Sequence, residues 1–346
     1  MNTTARKRLG LGATTAFVLI FTTACGGGEA GGNGGEAQEF VFAYEGPDTT
    51  AQGIAADIFQ ETVESECDGI TIKQYPAAQL GGEPELLEKV RAGDVDFIIS
   101  STANAAAIAP AAGVFSLHYL MGSPEENIAV VSDDAVNEAF IDMASETVDG
   151  ARPLTLFTLP LRNIYGKEPV RSVEDIKGRK FRVQATKTED AFWTAYGAQP
   201  VHMAFPEVYS SLQTGVVDFA ENAVTYYGLN KHQEVAPIMS MTEHEANVQM
   251  VWASDAMWEG LSLDQEDCVT AAAEVVRAEQ PKQAFELQEE LQAEYEEQGV
   301  QFITDVDKES FQKISVPMQD EVAADLGEQA LELLELIRTA AEGAAS

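Results

Sequence analysis

Positive charge is scarce in this chain. Its 346 residues hold 21 Lys and Arg against 57 Asp and Glu, a net charge of −36. A phosphate backbone needs a basic footprint, and no stretch supplies one, so nucleic acid is excluded as a partner. Cysteine and histidine are also few, with three and four. They show no ligand spacing, which argues against a metal. The phosphate-cradling, dinucleotide, zinc-protease and nucleophile-elbow motifs are all missing. The chain therefore reads as a binder without a cofactor, not as an enzyme. What is present is an apolar fraction of 45%, enough for a large core and too high for a disordered chain.

Only the N-terminus carries a long apolar run. Arg6, Lys7 and Arg8 precede residues 9–24, an apolar stretch of signal-peptide length that ends at Cys25. This resembles a bacterial lipoprotein signal, which makes 1–24 a leader and Cys25 the lipidated residue anchoring an extracytoplasmic protein to its membrane. Thr22 stands where an aliphatic residue is usual. Residues 25–38 are Gly-rich and read as a tether. Removing 1–24 with its three cations leaves −39. Cys67 and Cys268 remain; in an exported chain they are either a disulfide or two small buried residues.

The rest alternates between strand and helix patterns. Phe40–Tyr44 alternates as a strand, 51–66 carries a helical apolar stripe, and Ile70–Tyr75 alternates again. Glu83–Ala92 reads as a helix stopped by Gly93, and Val95–Ser100 as a strand. A β-α-β-α-β run predicts a parallel sheet. After residue 150 the pattern returns. Strands are expected at Leu154–Leu159, Asn163–Tyr165, Lys180–Gln184 and Val216–Phe219, with helices between. Residues 265–280 and 282–299 read as two helices separated by Pro281, and 320–342 as a third. VRAGDVDF (90–97) and LQTGVVDF (212–219) echo one another, which predicts two similar α/β lobes. Such sheets bind ligands beyond the carboxyl ends of their strands, here at Ser100-Ser101 and Glu221-Asn222.

With cations scarce, their placement is informative. Arg162 precedes an expected strand and Arg182 sits inside one. A guanidinium flanked by apolar residues must find a partner. From the residue alone, Arg182 is either half of a structural ion pair or a planar fork for a ligand carboxylate.

The segments EDIKGRKFRV (174–183) and YGAQPVHMAFPEVYSSLQTGVVDFAEN (196–222), with YPAAQLGGEPELLEKVRAGDVDF (75–97), resemble the solute-binding receptors of TRAP transporters. The resemblance covers about residues 39–340. It implies a two-lobed α/β fold of the periplasmic-binding-protein kind. Each lobe would be a mixed, mostly parallel sheet flanked by helices, with long helices crossing between. Lobe I would hold 39–159 and 248–287, and lobe II 160–247 and 288–341, so that Cys67 and Cys268 share a lobe. The implied ligand is a small organic carboxylate, and the implied partners are the membrane subunits of the permease. A sensory receptor for a signalling system, or the receptor of another importer class, would share the fold. By the same resemblance Arg182 is the carboxylate clamp, with Arg162 as a second arginine. Asn222 is a hydrogen-bonding residue and Phe205 an apolar floor. Glu45 and Ser101 are placed to reach the cleft from the first lobe. Phe219-Ala220 departs from the usual Gly-Gln, so Phe219 is expected to add bulk near the ligand.

Overall fold

The computed structural model describes residues 38–344. The expected leader, the expected lipidation site at Cys25 and all of the expected tether except Gln38 lie outside the described residues. Among the described residues nine strands form one sheet: β1 (Gln38–Ala43), β2 (Ile70–Tyr75), β3 (Phe97–Ser101), β4 (Ala151–Gly166), β5 (Lys180–Val183), β6 (Gln199–His202), β7 (Phe219–Asn222), β8 (Ile238–Ser254) and β9 (Gln301–Ile303). The order is β2-β1-β3-β8-β4-β7-β5-β6, with β9 beside β8. β1 pairs in parallel with β2 and β3, and β5 with β6 and β7. Between these two parallel groups lies the antiparallel pair β4–β8. The fold is thus mixed α/β with two parallel groups, joined by two long shared strands.

Alternation along the strands builds a core on each face. Phe97, Ile99, Val251 and Ala253 belong to one apolar cluster, and Ile98, Met250 and Trp252 to the other. Phe40, Phe42, Phe59 and Phe97 meet edge to face in the first.

The two echoed segments have one structural job. Helix α1 spans Ala51–Glu66 and α2 spans Glu83–Ala92; α2 stops at Gly93, and the Val208–Thr214 helix stops at Gly215. Both glycines are left-handed, at φ +78° and +75°, a backbone that favours glycine. Three residues later, Asp96 accepts a hydrogen bond from Val41 N at 2.8 Å, and Asp218 one from Lys180 N at 2.9 Å. Each aspartate ties the start of its strand to the parallel neighbour. Phe97 and Phe219 then open β3 and β7.

Several expectations are corrected. The two strands expected at 154–159 and 163–165 are one strand, β4, despite Pro160. The ladder with β8 shifts register between Leu159 and Arg162, so the proline falls at an irregularity where no ladder donor is required. The strand expected at Val216–Phe219 begins at Phe219 instead. The residues before it are used by the turn from Gly215 and by the Asp218 tie. Pro281 does not divide its region: one helix runs Leu263–Glu297. Pro281 is buried there, and Gln280 donates to Ala51 O at 2.9 Å, so packing against α1 offsets the missing backbone bond. The helix expected over 320–342 is two, Gln319–Leu326 and Glu328–Ala344, broken at Gly327 (φ +122°). Strand β8 was unforeseen, because Thr242, Glu243, His244, Glu245, Asn247 and Gln249 mask its apolar alternation.

The long helix touches both groups. Cys268, in its second turn, is disulfide-bonded to Cys67 at the end of α1, with Cα atoms 5.7 Å apart. Near its other end Tyr295 lies against Gly228, where any Cβ would come within about 2 Å of the ring.

Candidate functional site

The parallel strands β1, β3, β5 and β7 direct their carboxyl ends toward one small cavity. All six residues singled out in the sequence line it: Glu45, Ser101, Arg162, Arg182, Phe205 and Asn222. Glu83, Asn104, Gln184, Tyr226, Asn247 and Gln249 complete the lining. Its free volume is about 20 Å³, room for roughly one water molecule.

Arg162 is placed by β4. It pairs with Glu245 across the ladder, and register shifts flank it on both sides, which re-aims its side chain. Glu221 lies on β7 opposite Ile164, so it reaches the same face. Arg162 Nε and Nη2 donate to the two carboxylate oxygens of Glu221, the second at 2.5 Å. Its Nε is also 3.2 Å from Glu245 Oε2. These carboxylates hold the guanidinium firmly protonated against the cost of burial. The fork that a ligand carboxylate would need is therefore largely taken, leaving Nη1.

Arg182 is less committed. Its Nε and Nη2 donate to Met203 O at 3.3 and 3.2 Å, and Nη1 reaches Glu221 Oε1 only at 3.5 Å. Phe205 carries the guanidinium on its ring face at 5.7 Å, with Tyr226 edge-on to the same ring. Phe205 is thus a platform for the arginine as well as an apolar wall.

Asn222 is fixed by two hydrogen bonds to Oδ1, from Ala223 N and Asn247 Nδ2. Asn222 itself lines the cavity. Behind it runs an amide chain. Gln52 Nε2 donates to Gln249 Oε1, Gln249 Nε2 to Asn247 Oδ1, and Asn247 to Asn222. Gln52 also donates to Glu83. None of these amides stood out in the sequence. A run of polar residues at alternate positions of β8 was the available signal.

On the other side of the cavity, Glu83 is saturated. It accepts from Ser101 N and Oγ, Asn104 Nδ2 and Gln52 Nε2. Glu45 accepts from Glu83 N at 3.0 Å. Burial, then the Glu83 carboxylate, raises the Glu45 pKa to about 8. Ser101 Oγ accepts from Gln184 Nε2 at 3.0 Å, which links the ends of β3 and β5 directly. Gly82 is tightly placed, since a Cβ there would lie 2.9 Å from Glu45 Oε2.

Phe219 does not line the cavity. It is buried between Phe181 and the guanidinium of Arg179, so the added bulk goes to the core. A group that linear spacing did not show is His118, His244 and Glu245, whose ligand-capable atoms lie within 4.8 Å of one another. Arg162 already sits beside Glu245. His118 stacks on Phe192, and burial keeps both imidazoles neutral.

The site thus offers guanidinium and amide donors on β4, β5 and β7, and mainly acceptors elsewhere. Such a constellation suits binding and orienting an anion.

Comparisons with known proteins agree. The pattern of "Bacterial extracellular solute-binding protein, family 7" matches residues 42–325. A solute-binding protein of Chromohalobacter salexigens is 31% identical over 277 residues, 80% of this chain and 82% of that one. The ectoine-binding periplasmic protein of Halomonas elongata is 26% identical over 300 residues, 85% of this chain and 87% of that one. A crystal structure of a TRAP periplasmic solute-binding protein from Chromohalobacter salexigens, with bound D-glucuronate, superposes with TM-score 0.80 at 29% identity. It covers 87% of this chain and 99% of its own.

Proposed function

Because the chain belongs to the extracellular solute-binding proteins of family 7, the receptors of TRAP transporters, we propose how its own residues capture an organic carboxylate. Arg182 is the clamp. Its guanidinium forms a charge-assisted pair with the ligand carboxylate, while Phe205 and Met203 O hold the planar fork in place. Asn222 donates from Nδ2 and fixes orientation. Arg162 supplies Nη1 and, through Glu221, the rigid frame on which Arg182 rests.

The observation that carries this reading is the convergence on one cavity of all six residues that the sequence motifs single out. Among its two arginines, one has only a long contact to a carboxylate. The role is binding and release, with no bond made or broken.

A six-carbon acid is far larger than the free space, so capture requires the two halves to part. We assign lobe I to 39–159 and 248–287, and lobe II to 160–247 and 288–341. The Ser101–Gln184 hydrogen bond then closes across the cleft, and the β4–β8 pair is the natural place for bending. Ligand held in the cleft favours the closed arrangement, and the permease subunits read that surface. The protein works outside the cytoplasm, and we propose that lipid at Cys25 tethers it to the membrane. Among the described residues no helix is long and apolar enough to cross a bilayer.

A thermal-shift screen over organic acids tests the clamp. Arg182→Met is expected to abolish the shift given by the best ligand while keeping the far-ultraviolet dichroism of wild type. Retained tight binding by the folded variant would refute the assignment.

A further inference from the structure

A second polar cluster lies beside Arg162, and none of its three members lines the ligand cavity: His118, His244 and Glu245. A bulge in β8 assembles it. Between the ladder pairs Arg162–Glu245 and Ile164–Ser240, residues 241–244 of β8 stand against Asn163 alone. Within the bulge Glu243 has a left-handed backbone, at φ +44°, and its N donates to Asn163 Oδ1 at 2.9 Å. Neighbours on a regular strand point to opposite faces, yet His244 and Glu245 reach the same spot. His118 joins them from the segment after Pro110–Ser116, which Tyr119 N ties to His244 O at 2.7 Å. All three side chains are buried.

Each imidazole is anchored through Nδ1. His118 Nδ1 is 3.0 Å from the Tyr196 hydroxyl, and His244 Nδ1 is 2.8 Å from Thr242 Oγ1. The Nε2 of each ring is buried and has no hydrogen-bond partner among the described residues; that of His244 is 3.9 Å from Glu221 Oε2, beyond hydrogen-bond reach. With Nδ1–H donated to those oxygens, each Nε2 presents a lone pair beside a carboxylate. Buried acceptors left this way cost free energy until something meets them. An outer hydrogen bond from Nδ1 is also how proteins orient a metal-binding histidine. Glu245 Oε2 lies 3.2 Å from Arg162 Nε, and the carboxylate has a second oxygen to offer. We propose that His118, His244 and Glu245 form a structural site for a divalent transition metal of the zinc class. Two imidazoles favour such a metal over calcium or magnesium, which take oxygen ligands. The ligand-capable atoms lie within 4.8 Å of one another. Zinc ligands at about 2.1 Å and tetrahedral angles stand about 3.4 Å apart, so side-chain rotations of about an ångström complete the site. The bound metal pins the segment carrying His118 to β8 and stiffens the frame around Arg162.

The test is the zinc content and histidine NMR of the full chain, made without an affinity tag. Produced with zinc in the medium and purified without chelator, the wild type should carry about one zinc per chain. His118→Phe keeps the stack on Phe192 but removes the ligand nitrogen, and Glu245→Gln keeps the shape but removes the charge. Each should lower the zinc content at least tenfold. His202→Gln should leave it unchanged, because that histidine sits half exposed with Asp190 outside the cluster. In nitrogen-15 histidine spectra of the wild type, chelation should shift His118 and His244 and leave His202 and His232 in place. Less than about a tenth of an equivalent in the wild type, both as purified and after refolding with zinc, overturns the inference. So does a full equivalent kept by His118→Phe or Glu245→Gln, or zinc lost in His202→Gln, which marks an adventitious surface ion only. If the buried variants fail to fold, the wild-type spectra decide: His118 and His244 signals unmoved by chelation overturn it.

Discussion

Glu221 holds Arg162 by both carboxylate oxygens, at a point where neither side chain reaches solvent. The register makes the pair. β4 lies between β7 and β8, so Glu221 and Glu245 approach the guanidinium from opposite sides. The consequence is a division of labour, with Arg162 as frame and Arg182 as the cation left for a ligand.

Removing one half of that pair should be costly. Glu221→Gln leaves a buried guanidinium short of one counter-charge, a situation that typically costs about 3–5 kcal/mol. Urea unfolding of the apo protein should show a loss of this order. Replacing both partners, as Arg162→Met with Glu221→Gln, should restore part of it. A single-variant loss below about 1 kcal/mol would show that the pair is not the frame.

Phe205 has a separable role. Phe205→Leu keeps an apolar wall but removes the aromatic face under Arg182, an interaction of about 0.5–2 kcal/mol. Ligand affinity should fall roughly 2–30-fold by the same range, with the ligand's rank order unchanged. A loss of stability with unchanged affinity would make Phe205 core and nothing more.

Stability should fall with rising pH in a defined window. Glu45 is raised to about 8 and Glu189 to about 7, each by burial first and then by a neighbouring carboxylate, from an ordinary 4.5. Groups raised in this way bind protons more tightly when folded. Their contribution is complete below the ordinary value and is lost as pH rises through the folded one. His118, His232 and His244 are lowered below 6.5 by burial and act oppositely, but their contribution is complete above that pH. Between pH 6.5 and about 8 the carboxyl groups therefore dominate. Each should cost up to about 1.4 kcal/mol per pH unit while it is still protonated in the folded chain. Apo melting temperatures across that window should decline, and Glu45→Gln should make the decline shallower. A wild-type profile rising through the window would contradict this.

The disulfide should matter for stability and not for recognition. Cys67–Cys268 joins the end of α1 to the long helix across 201 positions of sequence, and neither residue lines the cavity. Cys67→Ala with Cys268→Ala is expected to lose about 2–4 kcal/mol while the affinity for the best ligand stays within threefold. A thiol assay on denatured, unreduced protein carrying Cys25→Ser should find no free thiol.

The sequence by itself determined the parallel units, because helix and strand periods are local and glycines at 93 and 215 mark the same turn twice. It also led to Arg182 and Asn222, through motifs carried on contiguous segments. It misplaced what non-local pairing decides. Strand β8 carries Asn247 and Gln249 into the site, and a strand whose inward side chains are polar has no apolar alternation to read. Two strands were expected where β4 runs unbroken, and Pro281 read as a break, yet a ladder irregularity and close packing accommodate Pro160 and Pro281. Phe219 read as bulk beside the ligand, but its position at the start of β7 sends the ring into the core. Above all, Arg162 and Arg182 look alike in sequence. Only the assembled sheet, by placing Glu221 and Glu245 around one and a phenyl ring beneath the other, makes the first a fixed internal ion and the second available to a ligand.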